Sequence, residues 1–283
     1  TGSDYVITDA ANPAKTVKNG TGGAVNEFIF KAEDNNTSDI LYFDGEGTRY
    51  YVITETAGSD PTITYAPTKH NIRVDVVLDK TTGELVPTVR EINTGSNIVV
   101  VTNKYTEKEA LATVDIRKTL ENKTGVTDIN NTLFTFALYE DAGFTTPVRV
   151  DANNFVTQSE SGTPVTVTGK SGSNLSISFK YNDKHVEESG YAASYTYYLK
   201  EITPSSPIAG MTYDQSVYQV KVNLGYNAEK TLVADTTITK ITDSNGNAVT
   251  DQQNVNEALF ANKYHLDSVT TTIDGEKLFT GDR

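Results

Sequence analysis

Cysteine and tryptophan are both absent from this chain of 283 residues. Without cysteine there are no disulfides, so a surface protein of this sequence needs another source of mechanical stability. Long hydrophobic runs are absent too: no stretch of about 18 apolar residues occurs, and no segment is predicted to insert into a membrane. Neither a signal peptide at Thr1 nor a cell-wall sorting motif at Arg283 is present, and we expect a piece of a longer precursor.

Basic residues are few relative to acidic ones. The chain has 24 Lys and Arg against 37 Asp and Glu, which gives a formal net charge of -13. Nucleic acids and anionic membranes both attract basic surfaces, so we expect this chain to bind neither. Hydrophobic residues make up 37% of the chain, which is enough apolar surface for two cores.

Alternating hydrophobic and polar residues dominate the sequence. The alternation runs over four to eight residues at a time, uses many β-branched and aromatic residues, and is interrupted by Gly, Asn, Asp and Pro. This pattern is typical of all-β sandwiches. Only residues 107–114 and 253–259 could form short helices. The strands predicted in the first part of the chain are residues 27–32, 49–56, 72–79, 85–92 and 98–105.

One segment of the chain occurs twice. IVVVTNKYTEKEALATVDIRKTL at residues 98–120 and EALFANKYHLDSVTTTIDGEKLF at residues 257–279 both end a hydrophobic run with Asn-Lys-Tyr. After a short polar link, both continue with an alternating strand that carries a lysine. The spacing from the asparagine to that lysine is the same in both segments, in the pairs Asn103 with Lys118 and Asn262 with Lys277. The sequence therefore predicts a repeated structural unit.

A second repeated pattern places a glutamate on an apolar face. RYYVITET contains Glu55 and YTYYLKEI contains Glu201, each at the end of the order Tyr, any residue, hydrophobic, any residue, Glu. Since side chains alternate along a strand, the Tyr, the hydrophobic residue and the Glu share one face. That face is predicted to be buried, where a carboxylate costs several kcal/mol unless it is neutral or has a partner.

The two repeats differ in completeness. Residues 106–264 contain a lysine-bearing first strand, a second strand at LFTFALYED and the later strands, so they are predicted to form a complete β-sandwich repeat. Residues 1–105 begin with DYVITDA, the counterpart of the second strand, and lack the lysine-bearing strand. Residues 265–283 carry such a strand in surplus. We interpret them as a lone first strand, either a donor strand or the start of a next repeat.

These motifs resemble the isopeptide-forming β-sandwich domains of Gram-positive pilins and surface adhesins. The segments at 210–224 and 63–89 are similar to streptococcal major pilins of the T-antigen type, and the resemblance covers nearly all of residues 27–283. It implies an all-β fold of tandem immunoglobulin-like sandwiches, of the collagen-adhesin B type, with intramolecular Lys-Asn isopeptide bonds. The first repeat departs from the pattern, with Val101 where the second has Phe260 and with no lysine of its own.

The resemblance implies a bond between Lys118 and Asn262, with Glu201 as the proton carrier. Such an amide forms from an uncharged amine and a polarised carboxamide with loss of ammonia. Burial lowers the pKa of a lysine and raises that of a glutamate, so both groups can be neutral at once. Glu201 can then act as acid and as base. We expect no cofactor, and we expect no enzyme activity beyond this single turnover.

Glu55 and Asn103 are predicted to form the corresponding half-site of the first repeat. Lys277 occupies the position in the tail that Lys118 occupies in the second repeat. We predict that the tail of one molecule inserts into the first repeat of the next, where Lys277 bonds to Asn103 and Glu55 carries the proton. The partners are then other copies of the chain, and the contact is head-to-tail and propagates into a fibre.

Other chemistries fit the sequence poorly. The histidines His70, His185 and His265 are far apart and lack metal-ligand spacing, so they are predicted to be surface or strand-edge residues, and no metal site is expected. Residues 243–251 resemble a calcium loop, but the glycine comes too early, and a hairpin turn is favoured. The acidic segment 32–39 is interpreted as a solvated loop. No phosphate loop or nucleophile elbow is present.

Two classes of function remain. The first is structural: the shaft of a pilus or the stalk of an adhesin, outside the cell and anchored to the cell wall as part of a longer precursor. The second is a module that binds a host surface protein or a glycan, for which Tyr181 and Tyr191 are the candidate loop aromatics. Repetition favours the first, since a shaft needs copies whereas a binding site usually needs one specialised domain.

Overall fold

The computed structural model divides the chain into two compact units, unit one at Thr1–Glu107 and unit two at Lys108–Arg283. Both units consist mainly of β-strands, so the all-β prediction is confirmed. The predicted strand at 27–32 and the acidic segment at 32–39 lie outside the residues that the structure describes. The described residues are 4–9, 12–18, 43–186, 190–278 and 280–281.

Unit one contains a five-stranded antiparallel sheet and a short two-stranded pair. The sheet has the order β2-β1-β3-β5-β6, and β4 pairs with β7. Its core is formed by apolar residues that alternate along β3 and β5, as the period of two requires. Those buried residues are Tyr51, Ile53, Ile72, Val74 and Val76. The strands of unit one are β1 (Asp4–Asp9), β2 (Asn12–Lys18), β3 (Gly47–Thr56), β4 (Ile63–Thr64), β5 (His70–Leu78), β6 (Leu85–Glu91) and β7 (Lys104–Tyr105).

The predicted strand at 98–105 forms only at its end, as β7. Residues 97–103 are in no strand, and Ile98 and Val100 have exposed fractions of 65% and 70%. The corresponding strand of unit two pairs with the lysine-bearing first strand. The described residues of unit one include no such first strand, and among them this run has no neighbouring strand along which to pair.

Unit two contains two larger sheets. One has the order β13-β9-β15-β17-β18-β19, the other β14-β8-β20-β16, and a small sheet has the order β11-β10-β12. The strands are β8 (Glu109–Asn122), β9 (Leu133–Tyr139), β10 (Arg149–Val150), β11 (Val156–Thr157), β12 (Thr163–Pro164), β13 (Thr166–Lys170), β14 (Asn174–Asn182), β15 (Ala192–Ile202), β16 (Met211–Thr212), β17 (Val217–Tyr226), β18 (Leu232–Thr242), β19 (Asn254–Val255) and β20 (Ala258–Tyr264).

A single hydrophobic core joins the two large sheets of unit two. It takes Val114 from β8 and Phe179 from β14 on one side, and Phe136, Leu199 and Val220 from β9, β15 and β17 on the other. All of these side chains are buried. Residues from both sheets therefore interdigitate as in a β-sandwich, and about 25 cal/mol is gained for each Å² of apolar surface removed from water.

Unit one repeats the strand arrangement of unit two. The order β2-β1-β3-β5-β6 corresponds to β13-β9-β15-β17-β18, and the pair β4-β7 corresponds to β16-β20. The register agrees as well, since Glu55 lies opposite Tyr5 and Glu201 lies opposite Phe136. The second sheet of unit two also contains β14 and β8, for which the described residues of unit one have no counterparts.

Both segments proposed as possible helices are strands. Residues 109–122 form β8, and residues 254–255 and 258–264 form β19 and β20. The helical prediction was wrong because alternation on a buried sheet outweighs the local helix preference of residues such as Glu and Ala. Within the described part of the chain, no helix is long and apolar enough to cross a membrane.

Candidate functional site

Three strands of unit two bring Lys118, Glu201 and Asn262 together. Lys118 belongs to β8, whose side chains alternate between exposed and buried so that the lysine lies on the buried face. β20 runs parallel to β8, with Phe260 opposite Lys118 and Asn262 opposite Leu120. Glu201 lies on β15 in the facing sheet. The three side chains are almost completely buried, with exposed fractions of 0%, 3% and 0% for Lys118, Glu201 and Asn262.

Glu201 bridges the lysine and the asparagine. Lys118 Nζ donates to Glu201 Oε2 at 2.7 Å, and Asn262 Nδ2 donates to Glu201 Oε1 at 2.6 Å. One carboxyl group therefore contacts both the amine and the carboxamide nitrogen. This is the geometry that a group needs to take a proton from one nitrogen and give a proton to the other.

Aromatic rings surround the site and exclude water. Lys118 Nζ lies 4.3 Å from the centre of the Phe134 ring. The Phe260 ring packs against Phe136 at 5.0 Å and against Tyr218 at 5.3 Å between ring centres. In such surroundings charged forms are disfavoured, and interactions between the remaining polar groups are stronger than in water.

Burial shifts both titratable groups of the site toward their neutral forms. It lowers the pKa of the Lys118 amine, although the Glu201 carboxylate opposes this change. It also raises the pKa of the Glu201 carboxyl, against the opposing effects of Lys118 and of the hydrogen bond from Asn262. Both directions follow from desolvation of the charged form. An uncharged amine beside a protonated carboxyl is the state in which the amine can act as a nucleophile.

Asp214 is a site residue that the sequence motifs did not indicate. Its backbone N–H donates to Asn262 Oδ1 at 2.8 Å, and the residue is buried, with an exposed fraction of 6%. The segment TYDQSVY carries this aspartate directly before β17. Its pairing with the last strand depends on how the two sheets pack, which the alternation of the strand residues does not encode. The repeated Thr-Tyr before Asp214 and before Ala66 is the signal that could have drawn attention to it.

Unit one holds a related pair, and no lysine of its described residues is bonded to it. Asn103 Nδ2 donates to Glu55 Oε1 at 2.8 Å, and the backbone N–H of Ala66 donates to Asn103 Oδ1 at 2.9 Å. These are the contacts that Glu201 and the backbone of Asp214 make in unit two. The other carboxylate oxygen, Glu55 Oε2, is buried and has no hydrogen-bond partner among the residues that the structure describes. The corresponding oxygen of Glu201 is the one that accepts from Lys118.

Lys277 lies in the tail of unit two. Residues 265–278 form no strand, and the apolar side chains Val269 and Ile273 each have an exposed fraction of 92%. An alternating apolar pattern that is left in solvent is typical of a strand whose partner lies on another chain or in another repeat.

Two expectations about individual residues were wrong. His70 is buried rather than at the surface, and its Nδ1 lies 2.7 Å from Glu91 Oε1, a hydrogen bond that compensates the burial of both polar groups. Tyr181 is not a loop aromatic but a fully buried residue of β14, whose hydroxyl donates to Tyr197 Oη at 2.8 Å. A ligand therefore cannot reach Tyr181, which leaves the binding-module alternative with Tyr191 alone.

The segment at residues 243–251, which resembles a calcium loop, is not part of a metal cluster. In the parts of the chain that the structure covers, no group of three or more His, Cys, Asp and Glu residues could hold a metal ion. Asp243 accepts hydrogen bonds from the backbone N–H groups of Asn245 and Asn247, and Gly246 has a φ of 87°. The segment is thus a tight turn closed by its own aspartate, as predicted.

Comparisons with known proteins give one family match and several matches to solved structures. The family model FctA, described as a Spy0128-like isopeptide-containing domain, matches residues 114–265. The chain is similar to the solved structure of the major pilin from Streptococcus pyogenes, with 16% identity, a TM-score of 0.35 and coverage of 93% of this chain and 91% of that chain. For the T3.2 major pilin of the same organism the values are 15%, 0.31, 93% and 89%. A search of curated proteins finds no significant match.

Proposed function

This chain belongs to the FctA family of Spy0128-like isopeptide-containing domains, and we propose on this basis that it is a shaft subunit or stalk repeat of a Gram-positive pilus or surface adhesin. Its place is outside the cell, in a longer precursor or pilus anchored to the cell wall. The observation that carries the proposal is the buried contact of Glu201 with both Lys118 and Asn262. We propose that an amide bond between Lys118 and Asn262 stabilises unit two.

The bond forms without any external reagent. The neutral Lys118 Nζ attacks Asn262 Cγ and gives one proton to Glu201, while Glu201 gives its own proton to Asn262 Nδ2. The C–N bond to Nδ2 then breaks, one ammonia leaves, and Glu201 ends as it began. The rigid strands hold the reacting groups at a high effective concentration, which offsets about 7–11 kcal/mol of the barrier. Because each site reacts once, the chain is a structural protein and not an enzyme.

The position of the bond suits a protein under tension. Lys118 and Asn262 lie on β8 and β20, the first and last strands of unit two, which are adjacent and parallel. A force that enters through β8 and leaves through β20 passes directly across an amide between these residues. The chain between the two residues then carries no load, so the sandwich cannot be unravelled by pulling at its ends. This use of a covalent link fits a chain without cysteine.

Intact-mass spectrometry tests the proposed bond directly. The purified chain is expected to be lighter than its sequence mass by one ammonia, and a tryptic digest should contain a branched peptide that joins the segments around Lys118 and Asn262. A chain whose mass equals the sequence mass would contradict the proposal. The location is checked by Lys118→Ala, which should restore the full sequence mass of the chain.

The rate of bond formation is expected to follow a bell-shaped pH profile. In the reactive state the Glu201 carboxyl is protonated and the Lys118 amine is neutral. Burial raises the pKa of Glu201 and lowers the pKa of Lys118. At acid pH the pair gains a second proton and the ammonium cannot attack, whereas at alkaline pH Glu201 loses the proton that the leaving nitrogen needs. Ammonia loss from newly synthesised chain, followed by mass at several pH values, measures this; a rate that only rises with pH would contradict it.

We further propose that unit one accepts a strand from a second copy of the chain. Support comes from Glu55 Oε2, the buried oxygen without a partner among the described residues, whose counterpart in Glu201 binds the lysine of unit two. Support also comes from the exposed side chain of Val100, which lies in a segment whose counterpart in unit two, from Ala258 onward, pairs with the first strand β8. Both features are expected if a second copy of the chain supplies the strand that carries the lysine.

The tail of unit two has the alternating pattern that the missing first strand of unit one requires. If residues 275–278 lie along residues 99–102 as residues 116–119 of β8 lie along residues 258–261 of β20, Lys277 falls opposite Val101, and Val269 and Ile273 lie on the same face of the tail as Lys277. They then match Ala110 and Val114 of β8, which are buried in unit two. Insertion would remove the side chains of Val269 and Ile273 from water. The burial of each would stabilise the junction by roughly 1.5–3 kcal/mol. Lys277 would be presented to Asn103 and Glu55 for the same ammonia-releasing reaction.

A further inference from the structure

Residue 214 contacts both the reacting asparagine and the backbone beside it. The backbone N–H of Asp214 donates to Asn262 Oδ1 at 2.8 Å. In return, Asp214 Oδ2 accepts from the backbone N–H of Ala261 at 2.6 Å. The second carboxylate oxygen, Oδ1, accepts from the backbone N–H of Ser216 at 2.8 Å. Both oxygens of a buried carboxylate are thus used to hold one turn of backbone against β20.

The oxygen that this N–H contacts is the one that gains negative charge during the reaction. When Lys118 Nζ adds to Asn262 Cγ, the electrons of the C=O bond move onto Oδ1. A backbone donor aimed at that oxygen stabilises the tetrahedral intermediate more than the starting amide, since the hydrogen bond strengthens as the charge develops. Glu201 cannot serve this purpose, because its two oxygens contact Lys118 Nζ and Asn262 Nδ2.

We propose that the backbone N–H of Asp214 is the oxyanion donor for amide formation at Asn262, and that the Asp214 carboxylate is the positioning group that fixes this N–H. The inference rests on the proposed bond between Lys118 and Asn262. Asp214 makes hydrogen bonds to the neighbouring residues Ala261 and Asn262, and together they fix the position and the direction of the Asp214 N–H. The bond to Ser216 holds the turn from its other side, immediately before β17 begins.

Unit one has the backbone donor to its asparagine but no carboxylate at the position of Asp214. The backbone N–H of Ala66 donates to Asn103 Oδ1 at 2.9 Å, so a donor to the asparagine oxygen is present at both sites. The side chain of Ala66 has no acceptor with which to bind the backbone before Asn103. A donor that recurs beside a different side chain supports the role of the backbone N–H itself. The positioning role of the carboxylate is supported by its own hydrogen bonds to Ala261 and Ser216 in unit two.

Asp214→Ala and Asp214→Asn test the assignment. Newly synthesised chain is quenched with acid at intervals, and the loss of one ammonia is followed by intact mass. The alanine variant is expected to form the bond about 100-fold more slowly than the original chain, the size of effect seen when a reacting group is misplaced by about 1 Å. The asparagine variant keeps a side-chain oxygen that can accept from Ala261, and it is expected to recover most of the lost rate.

A spectroscopic measurement separates positioning from general stability. In a Glu201→Gln background, which cannot form the bond, the ¹³Cγ resonance of Asn262 reports the hydrogen bond at Oδ1. Adding Asp214→Ala should move this resonance toward the value of a free carboxamide, whereas Asp214→Asn should leave it nearly in place. Circular dichroism of each variant against Glu201→Gln alone checks the fold. Asp214→Thr, which keeps one oxygen, replaces the alanine variant if the latter does not fold, and is expected to be slower than the original chain.

The outcomes separate this inference from the function on which it rests. If the original chain carries no bond, the proposed bond itself is wrong. If the original chain is bonded and both Asp214 variants form the bond at its rate, the role of residue 214 is overturned while the bond stands. If the asparagine and alanine variants are equally slow, the carboxylate does not act as a hydrogen-bond acceptor, and the positioning role is overturned. A wild-type rate for Asp214→Thr, used in place of an unfolded alanine variant, also overturns it.

Discussion

Glu201→Gln is expected to leave unit two folded but without its amide, and to lower its melting temperature by about 10–20 °C. The substitution keeps the shape of the side chain and removes its ability to carry a proton between Lys118 and Asn262. The proposed bond closes a loop from residue 118 to residue 262, and a cross-link over a loop of this size contributes on the order of 5 kcal/mol. For a domain of this size, each kcal/mol corresponds to roughly 2–4 °C.

Intact mass and thermal unfolding of the same samples measure this effect. The Gln variant should have the full mass of its sequence and a normal β-sheet circular dichroism spectrum. Glu109→Gln is the matched control, since Glu109 lies on β8, the strand of Lys118, and forms an exposed ion pair with Lys180 at 3.1 Å. Exposed pairs contribute little, so the control should keep both the bond and the melting temperature. A bonded Gln variant, or an unbonded one that melts with the original chain, would show that the assignment is wrong.

Much of the fold followed from the sequence because strand alternation is a local property. The faces of β3 and β15 were predicted from the order Tyr, hydrophobic, Glu, and the structure places Tyr51 and Ile53 of β3 in the core of unit one. Lys118, Glu201 and Asn262 were predicted as one site from the resemblance to isopeptide-forming domains, and the structure brings their side chains together. Whether they form a bond stays a prediction.

The errors arose where tertiary packing outweighs local preference. The burial of His70 depends on Glu91, which lies in a neighbouring strand 21 positions away, and no local pattern marks such a pair. Asp214 contacts Asn262 through its backbone, and a backbone contact leaves no trace in residue type. The run at residues 98–103 has the composition of a strand, yet a strand also needs a neighbour to pair with.

Lys277→Ala is expected to abolish covalent polymers of the chain while leaving the proposed Lys118 bond intact. If the tail of one copy inserts into unit one of the next, Lys277 bonds to Asn103 and each copy adds one step to a denaturant-resistant ladder on a gel. The contact is head-to-tail and does not close on itself, so the ladder has no fixed upper length. Lys263→Ala is the matched control, because Lys263 is an exposed lysine on β20 and should leave the ladder unchanged.

Complementary variants identify the two halves of the junction. Asn103→Ala removes the acceptor and keeps the donor tail, whereas Lys277→Ala removes the donor and keeps the acceptor. Neither variant should polymerise alone, but a mixture should give a covalent dimer and nothing longer, since each dimer has exhausted its one functional donor and acceptor. A strictly monomeric band for the original chain in its natural assembly would contradict the strand insertion. Residues 265–283 would then be the first strand of a further repeat, and their exposed Val269 and Ile273 would be buried there instead.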